Sequence, residues 1–268
     1  MTDMKIFIPT RRREEQRTWK YLYEAGLNDM VRIVCDEDDR KRLEKQHPEM
    51  IFCVTPESVS GIGHTRQWIC EQGPVLTGAR YVLMMDDDQQ FYARKTEEDW
   101  HLRNATTTDI ISMVTLMNEL ARDTDSPMIG LSARQGNQNY TEQIVYNKRI
   151  HNTYVIDTVA FAKNGVRFDR MPLMEDFDTA LQFLRLGLKT TMVAKYAWGQ
   201  RASNAAGGCS LYRTNDLQSQ AAERLAALHP DFVKVVIKKP KTGWKNLEVR
   251  KDVRVQWKKA YESGLENA

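Results

Sequence analysis

No window of the chain approaches the roughly 18 to 20 consecutive apolar residues of a membrane span. The first residues, MTDMKIFIPTRRREE, carry no long apolar segment of the kind a secretion signal needs. These two absences argue against membrane classes and lead to the expectation of a cytoplasmic protein. Cysteine is scarce as well. Cys35, Cys53, Cys70 and Cys209 are the four in 268 residues, and no two form a CxxC pair. That excludes a disulfide scaffold and a cysteine zinc site, and it predicts reduced, buried thiols. Glycine-rich phosphate loops are missing too. Gly61-Ile62-Gly63-His64-Thr65-Arg66 offers only two glycines, short of a P-loop or a GxGxxG fingerprint, which disfavours a nicotinamide enzyme. Net charge is a modest +3, and 41% of residues are hydrophobic, so the composition does not suit a disordered chain.

What is present alternates between two periodicities. Lys5–Ile8, Val31–Cys35, Ile51–Val54 and Tyr81–Met85 are short apolar runs that read as strands. Between them lie helical stretches: Glu14 to Glu24, Asp36 to Gln46, and a segment capped by Ser60 that runs through Ile69 before Gly73-Pro74. Strand–helix alternation with continuous apolar strands predicts an α/β fold whose mainly parallel sheet is covered by helices on both faces. Farther on, Thr108 caps an amphipathic helix, and Met128–Ala133, Tyr154–Ala162 and Lys189–Tyr196 read as strands. Glu175 to Leu186 reads as a helix ended by Gly187, and Thr214 caps a last helix ending near His229. No repeat or low-complexity linker divides the chain. One α/β domain over residues 1–230, with a basic extension over 231–268 packed on or beside it, is the expected organisation.

The chemistry gathers at two acidic clusters. Tyr81-Val82-Leu83-Met84-Met85 runs straight into Asp86-Asp87-Asp88, so three carboxylates sit at the C-terminal end of an apolar strand, the edge where open α/β sheets bind ligands. Adjacent carboxylates repel, and a hard divalent ion such as Mg²⁺ or Mn²⁺ relieves that repulsion. The alternative is a solvated acidic turn. The second cluster, Glu175-Asp176-Phe177-Asp178, opens a helix after Met171-Pro172. It suits a general base for an incoming hydroxyl, and equally acids that offset a helix dipole. Thr10 and Arg12 follow the first strand, Asp36 follows the second, and Arg66 lies in the first turn after Gly61-Ile62-Gly63, so all can open on one sheet edge.

Taken in order, strand-PTRRR, strand-CDED, GIGHTRQ-helix, YVLMMDDD and MEDFDTALQFLRLG resemble the GT-A fold glycosyltransferases, over about Lys5 to Lys195. The resemblance implies a Rossmann-like GT-A fold. It implies that Thr10, Arg12 and Asp36 hold a nucleotide, with Arg66 near its ribose or phosphates. It makes Asp86 and Asp88 an Asp-x-Asp pair on Mn²⁺ or Mg²⁺, Asp88 in direct contact, and it makes Asp176 the base of an inverting transfer, with Glu175 beside it. Family members often add a C-terminal histidine to the metal. Here only His229 is available, and it also reads as an ordinary helix end. The short chain, the missing anchor and the basic tail further resemble the phage-encoded TET-associated glycosyltransferases, which glycosylate 5-hydroxymethylpyrimidine bases in DNA. That resemblance implies a UDP-sugar donor, UDP-glucose first, 5-hydroxymethylcytosine in DNA as acceptor, and the host cytoplasm as location.

The tail supports a polyanionic partner independently. Val233 to Lys259 holds ten Lys or Arg against two acids, a local balance of +8, leaving −5 for the remainder of a +3 chain. Trp244 and Trp257 are interleaved with the cations, as stacking on bases requires. A solvated terminal element has the same composition. Three alternatives stay open on sequence: transfer to a small-molecule or protein hydroxyl, nucleotidyl transfer, and non-catalytic nucleic-acid binding.

Overall fold

The computed structural model describes residues 3–96, 99–200, 214–238 and 250–267. Its first third is a parallel wing. Strands β1 (Met4–Pro9), β2 (Val31–Cys35), β3 (Phe52–Val54) and β4 (Tyr81–Met85) lie in the order 3-2-1-4, with Ile6 beside both Val31 and Leu83. Between them run α1 (Arg17–Glu24), α2 (Glu37–Gln46) and α3 (Ile62–Thr77).

Alternation along β1 shows why both faces must be covered. Ile6 and Ile8 join a cluster with Trp19 and Leu22 of α1 and Leu43 of α2, whereas Phe7 joins Ile69 and Cys70 of α3 on the other side. All three residues are fully buried, and each removes roughly 1.5–3 kcal/mol worth of apolar surface from water.

Past β4 the sheet becomes mixed. An antiparallel pair, β5 (Gln89–Arg94) and β6 (Leu102–Asn104), precedes helix α4 (Thr107–Asp123). Then come β7 (Met128–Ala133), β8 (Ile144–Tyr146), β9 (Thr153–Asp157), α5 (Thr158–Lys163), α6 (Glu175–Arg185) and β10 (Thr191–Gln200). The sheet continues from β4 through β9, β7, β10 and β5 to β6, with β8 on β10. Strand β9 runs antiparallel to β4 and to β7. The result is a mixed, mainly parallel, Rossmann-like sheet. Helix α4 packs with the Ile6 cluster, and α5 and α6 with the Phe7 cluster.

Several local expectations change. The run Tyr154–Ala162 divides into β9 and α5, because the Asp157 carboxylate accepts from Val159 N and Ala160 N and so starts a helix inside an apolar run. Helix α3 begins after Gly61, not at a Ser60 cap. It continues through Pro74 to a left-handed Gly78, so Gly73-Pro74 does not stop it. Helix α4 is capped by Thr106 rather than Thr108, through a reciprocal box with Asp109. Helix α1 starts at Arg17, not at Glu14.

Thr214 does cap α7 (Asn215–Leu228), but α7 is not the last element. It is followed by a hairpin, β11 (Val233–Lys238) with β12 (Arg250–Val255), and by α8 (Trp257–Glu266). Residues of α6, α7, β11 and α8 share one cluster: Leu181 and Leu184, Ala221 and Leu225, Val233, Ala260. Gly264 of α8 lies so close to α6 that a Cβ there would run into the Leu184 carbonyl. The C-terminal segment is thereby fixed to the helix that carries the second acidic cluster.

Candidate active site

Every residue of β4 is buried, so its polar continuation emerges at the C-terminal edge of the sheet beside the end of β1. The three aspartates there point different ways. Asp87 is 5% exposed. It accepts from the Thr10 hydroxyl at 2.6 Å and from Arg13 Nε at 3.1 Å, and burial pushes its pKa up to about 7. Asp86 and Asp88 face outward, with side chains 28% and 16% exposed. Arg13 also reaches Asp88 at 3.2 Å. Burial, with the Asp86 charge beside it, raises the Asp88 pKa as well.

Asp86 is held from two sides. Asn152 Nδ2 donates to it at 2.7 Å, and Arg66 Nη2 at 2.8 Å. The other arm of the same Arg66 guanidinium donates to Glu175, so one buried cation joins the two acidic clusters. Arg66 is 3% exposed, lies 5.3 Å over the Tyr154 ring, and leaves Nε without a partner. Glu175 lies 109 residues from Arg66 in sequence. Glu175 and Asp176 stand in the first turn of α6, which starts from Met174 in the left-handed region at φ 63°. Both carboxyls are buried, and burial raises both pKa values, partly offset by Arg66 and, at Asp176, by Arg149. A carboxyl lifted toward neutrality is what proton abstraction from a hydroxyl needs.

Around Asp176 the side chains are aromatic and cationic. Arg149 lies 4.5 Å over the ring of Phe177, which is 5.5 Å from Trp257 of α8 and 6.4 Å from His151. His151 stands edge-on to Trp198 at 4.6 Å, and its imidazole is kept neutral by burial, with Arg149 adding to the shift.

The residues expected to hold a nucleotide share the same edge but differ in state. The Thr10 hydroxyl is engaged with Asp87 and accepts from Gln16. Arg12 is exposed, at φ 49°, and its backbone N–H donates to Asp39 at 2.7 Å. Asp36 is exposed and caps α2 by accepting from Asp39 N at 2.8 Å. Arg12 also lines a cleft of about 660 Å³, with Arg11, Gly61, Gly63, His64, Asp169, Arg170 and Arg224 among its walls. The two glycines of the α3 start have different reasons. Gly61 takes φ 88°, and a Cβ on Gly63 would lie 2.6 Å from the Met171 carbonyl and 2.9 Å from that of Phe168.

His229 is tied to Asp178 of the second acidic cluster. It is fully buried; Arg185 can only donate to its Nδ1 at 3.2 Å, so Nε2 carries the proton and donates to Asp178 at 2.7 Å. Both ring nitrogens are committed. Among the described residues no three His, Cys, Asp or Glu side chains are grouped to hold a metal ion.

Arg13, Asn152, Arg149 and His151 carry no signal in the sequence that marks them for the site. Arg13 is one of three consecutive arginines, and nothing in the run tells which of them turns inward. The other three sit in a loop between strands without periodicity. Of the basic stretch, Lys239, Lys241 and Trp244 lie outside the described residues, as does Cys209. Cys35, Cys53 and Cys70 are buried and free. No helix among the described residues is long and apolar enough to cross a membrane.

Comparison with known proteins bears on the fold and the family of this chain. No curated protein matches the chain. Among solved structures it is similar to GalNAc-T7 with UDP, GalNAc and Mn²⁺, at 9% identity and TM-score 0.50, over 84% of this chain and 48% of that one. It is also similar to a mycobacterial protein (10% identity, TM-score 0.49, 94% and 83% covered) and to a mannose-1-phosphate geranyltransferase from Thermus thermophilus (11%, 0.43, 74% and 76%). At such identities the likeness concerns the fold, and only the first carries weight for it. The model of the TET-Associated Glycosyltransferase family matches residues 4–208. A match over that much of the chain, on a GT-A-like sheet with both acidic clusters at one edge, makes this protein a member of the TET-associated glycosyltransferase family and a glycosyltransferase.

Proposed function

We propose that the protein is a divalent-metal-dependent, inverting glycosyltransferase that moves a sugar from a UDP-sugar, UDP-glucose first among donors, to the hydroxymethyl group of 5-hydroxymethylcytosine in DNA. The observation that carries this reading is the Arg66 bridge. One buried guanidinium holds Asp86 of the first acidic cluster and Glu175 of the second, so donor-side and acceptor-side carboxylates form one site.

Asp86 and Asp88 suit a hard cation. They are oxygen donors that face outward on either side of the buried Asp87, and their mutual repulsion falls when a cation is shared. Two protein carboxylates are enough where a diphosphate and water supply the other ligands. Bound there, Mn²⁺ or Mg²⁺ would offset the negative charge that builds on the departing diphosphate. Thr10, Arg12 and Asp36 form the nucleotide edge, with Arg66 near the ribose or phosphates.

On the other side, Asp176 accepts the proton of the acceptor hydroxyl. That oxygen forms a bond to the anomeric carbon from the face opposite the diphosphate. The bond from that carbon to the phosphate oxygen breaks, and UDP leaves with the electron pair. Glu175, tied to Arg66, holds the start of α6 against the donor side. A target base in duplex DNA must be flipped out to reach such a site. The described part of the basic segment suits a phosphate backbone: in the β11–β12 hairpin, Lys234 pairs across with Arg254 and Lys238 with Arg250 on one face, which also carries Asp252, ion-paired with Lys238 at 2.6 Å, and so keeps an excess of positive charge.

Incubating the protein with UDP-glucose, Mn²⁺ and hydroxymethylated DNA, then measuring UDP and the anomeric configuration of the product, tests the reading. Pyrophosphate release from an NTP in place of UDP would assign a nucleotidyl transferase. A retained configuration would remove Asp176 from the role of base.

A further inference from the structure

The cleft beside the end of β1 has one wall that the matched family residues 4–208 do not supply. Arg224 comes from α7, beyond that span, and it lines the cleft with Arg11, Arg12, Arg170 and His64. Four arginines face one aspartate there, and Asp169 is already paired with Arg167. The concavity is of small-ligand size, about 660 Å³. Its floor is the start of α3, where Gly61 offers no capping side chain and the first turn holds no acid.

Arg170 and the helix that carries Arg224 are anchored together. Asp178, fully buried in α6, forms an ion pair with Arg170 Nε at 3.2 Å and accepts from His229 at 2.7 Å and from Gln182 at 2.9 Å. One carboxylate therefore sets both the cleft arginine Arg170 and the C-terminal end of α7, the helix that presents Arg224.

We propose that α7 completes the donor site, with Arg224 binding the diphosphate of the nucleotide sugar opposite Arg11 and Arg12. This rests on the glycosyl-transfer reading and assigns a donor-binding role to a segment outside the matched family residues. The ligand chemistry is a phosphate ester. The small volume of the cleft suits a diphosphate, whereas the hairpin face spreads Lys234, Lys238, Arg250 and Arg254, with Asp252 among them, along a strand pair that suits a DNA backbone. His229 and Asp178 act as positioning residues, through Arg170 and the end of α7.

Calorimetry of UDP and uridine, with DNA binding measured in parallel, tests this on wild type, Arg224→Gln and Arg224→Lys. Arg224 is exposed, so the variants keep the fold. Loss of one charged hydrogen-bonding partner weakens UDP binding by about tenfold or more in Arg224→Gln. Uridine and DNA affinities stay within about twofold of wild type, and lysine restores part of the loss. Unchanged UDP affinity in Arg224→Gln, an equal loss for uridine, or a loss confined to DNA would overturn the assignment. Wild type that binds no UDP at all would instead overturn the donor reading on which the proposal stands.

Discussion

Asp86, Asp87 and Asp88 are chemically identical but differ in setting, two facing outward and the middle one buried, which decides what substitution should show. Asp88 faces outward and is held by Arg13, so Asp88→Ala should abolish turnover and most metal-dependent donor affinity in a transfer assay with Mn²⁺. Normal Mn²⁺-dependent activity in that variant would remove Asp88 from the metal. Asp87 faces inward, and its effect should be on stability. Its folded pKa is raised from 3.8 to about 7 by burial, so the folded state holds a proton that the unfolded chain has lost. That contribution is present in full below pH 4 and is lost as pH rises through 7. In metal-free buffer the Tm of wild type should therefore fall relative to Asp87→Asn between pH 5 and pH 7.5. A constant gap would show that Asp87 titrates normally. Asp176→Asn keeps the shape of the base without its basicity. Single-turnover rates should drop by about 10² to 10⁴ with donor Kd unchanged, and a rate within twofold of wild type would rule Asp176 out. The outward aspartates were legible because they end an apolar strand. That Thr10 and Arg13 converge on the middle one was not, since a threonine and one of three arginines carry no sign of which way they point.

At the scale of elements, the parallel wing was legible because β1 to β4 are mainly apolar, broken only by Lys5 and Arg32, and are separated by polar helices. The later half was not, because capping chemistry and tertiary packing override the local pattern there. Asp157 turns an apolar run into strand plus helix, and Pro74 is carried inside α3 where the sequence pattern would end a helix. The hairpin and α8 lie in a stretch whose composition is dominated by charge, so its periodicity is weak, and their positions are fixed by packing on α6 and α7. The tightest joint in the site is between α3 and the loop before α6. A methyl group at Gly63 would meet two backbone carbonyls, which cannot rotate away as a side chain can. Gly63→Ala should lower stability by about 1–3 kcal/mol and displace Arg66, three residues on. Urea unfolding would read the first and loss of donor binding the second. A variant as stable and as active as wild type would mean that α3 and this loop do not pack so closely.

Over the whole molecule, charge divides along the chain, with a mildly acidic α/β body and a C-terminal segment balanced at +8. The hairpin face that carries Lys234, Lys238, Arg250 and Arg254 belongs to the same packed unit as α6, and Trp257 at the start of α8 meets Phe177, next to Asp176. If DNA crosses that face, each cation lost should reduce the slope of log K against log salt by about 0.9. Replacing Lys234, Lys238 and Arg254 with alanine should flatten it by about two to three, with UDP affinity unchanged. An unchanged slope would move the acceptor to a small-molecule or protein hydroxyl and leave the transferase assignment intact. Most direct for the central claim, that the clusters joined by Arg66 form one glycosyl-transfer site, is mass spectrometry of nucleosides from hydroxymethylated DNA incubated with the protein, UDP-glucose and either Mn²⁺ or a chelator. The account predicts 5-hydroxymethylcytosine carrying one hexose, matched by an equal amount of UDP, with Mn²⁺ and not with chelator. Equal transfer in the chelator would contradict the metal-dependent site, and no transfer with any UDP-sugar would contradict the proposed reaction.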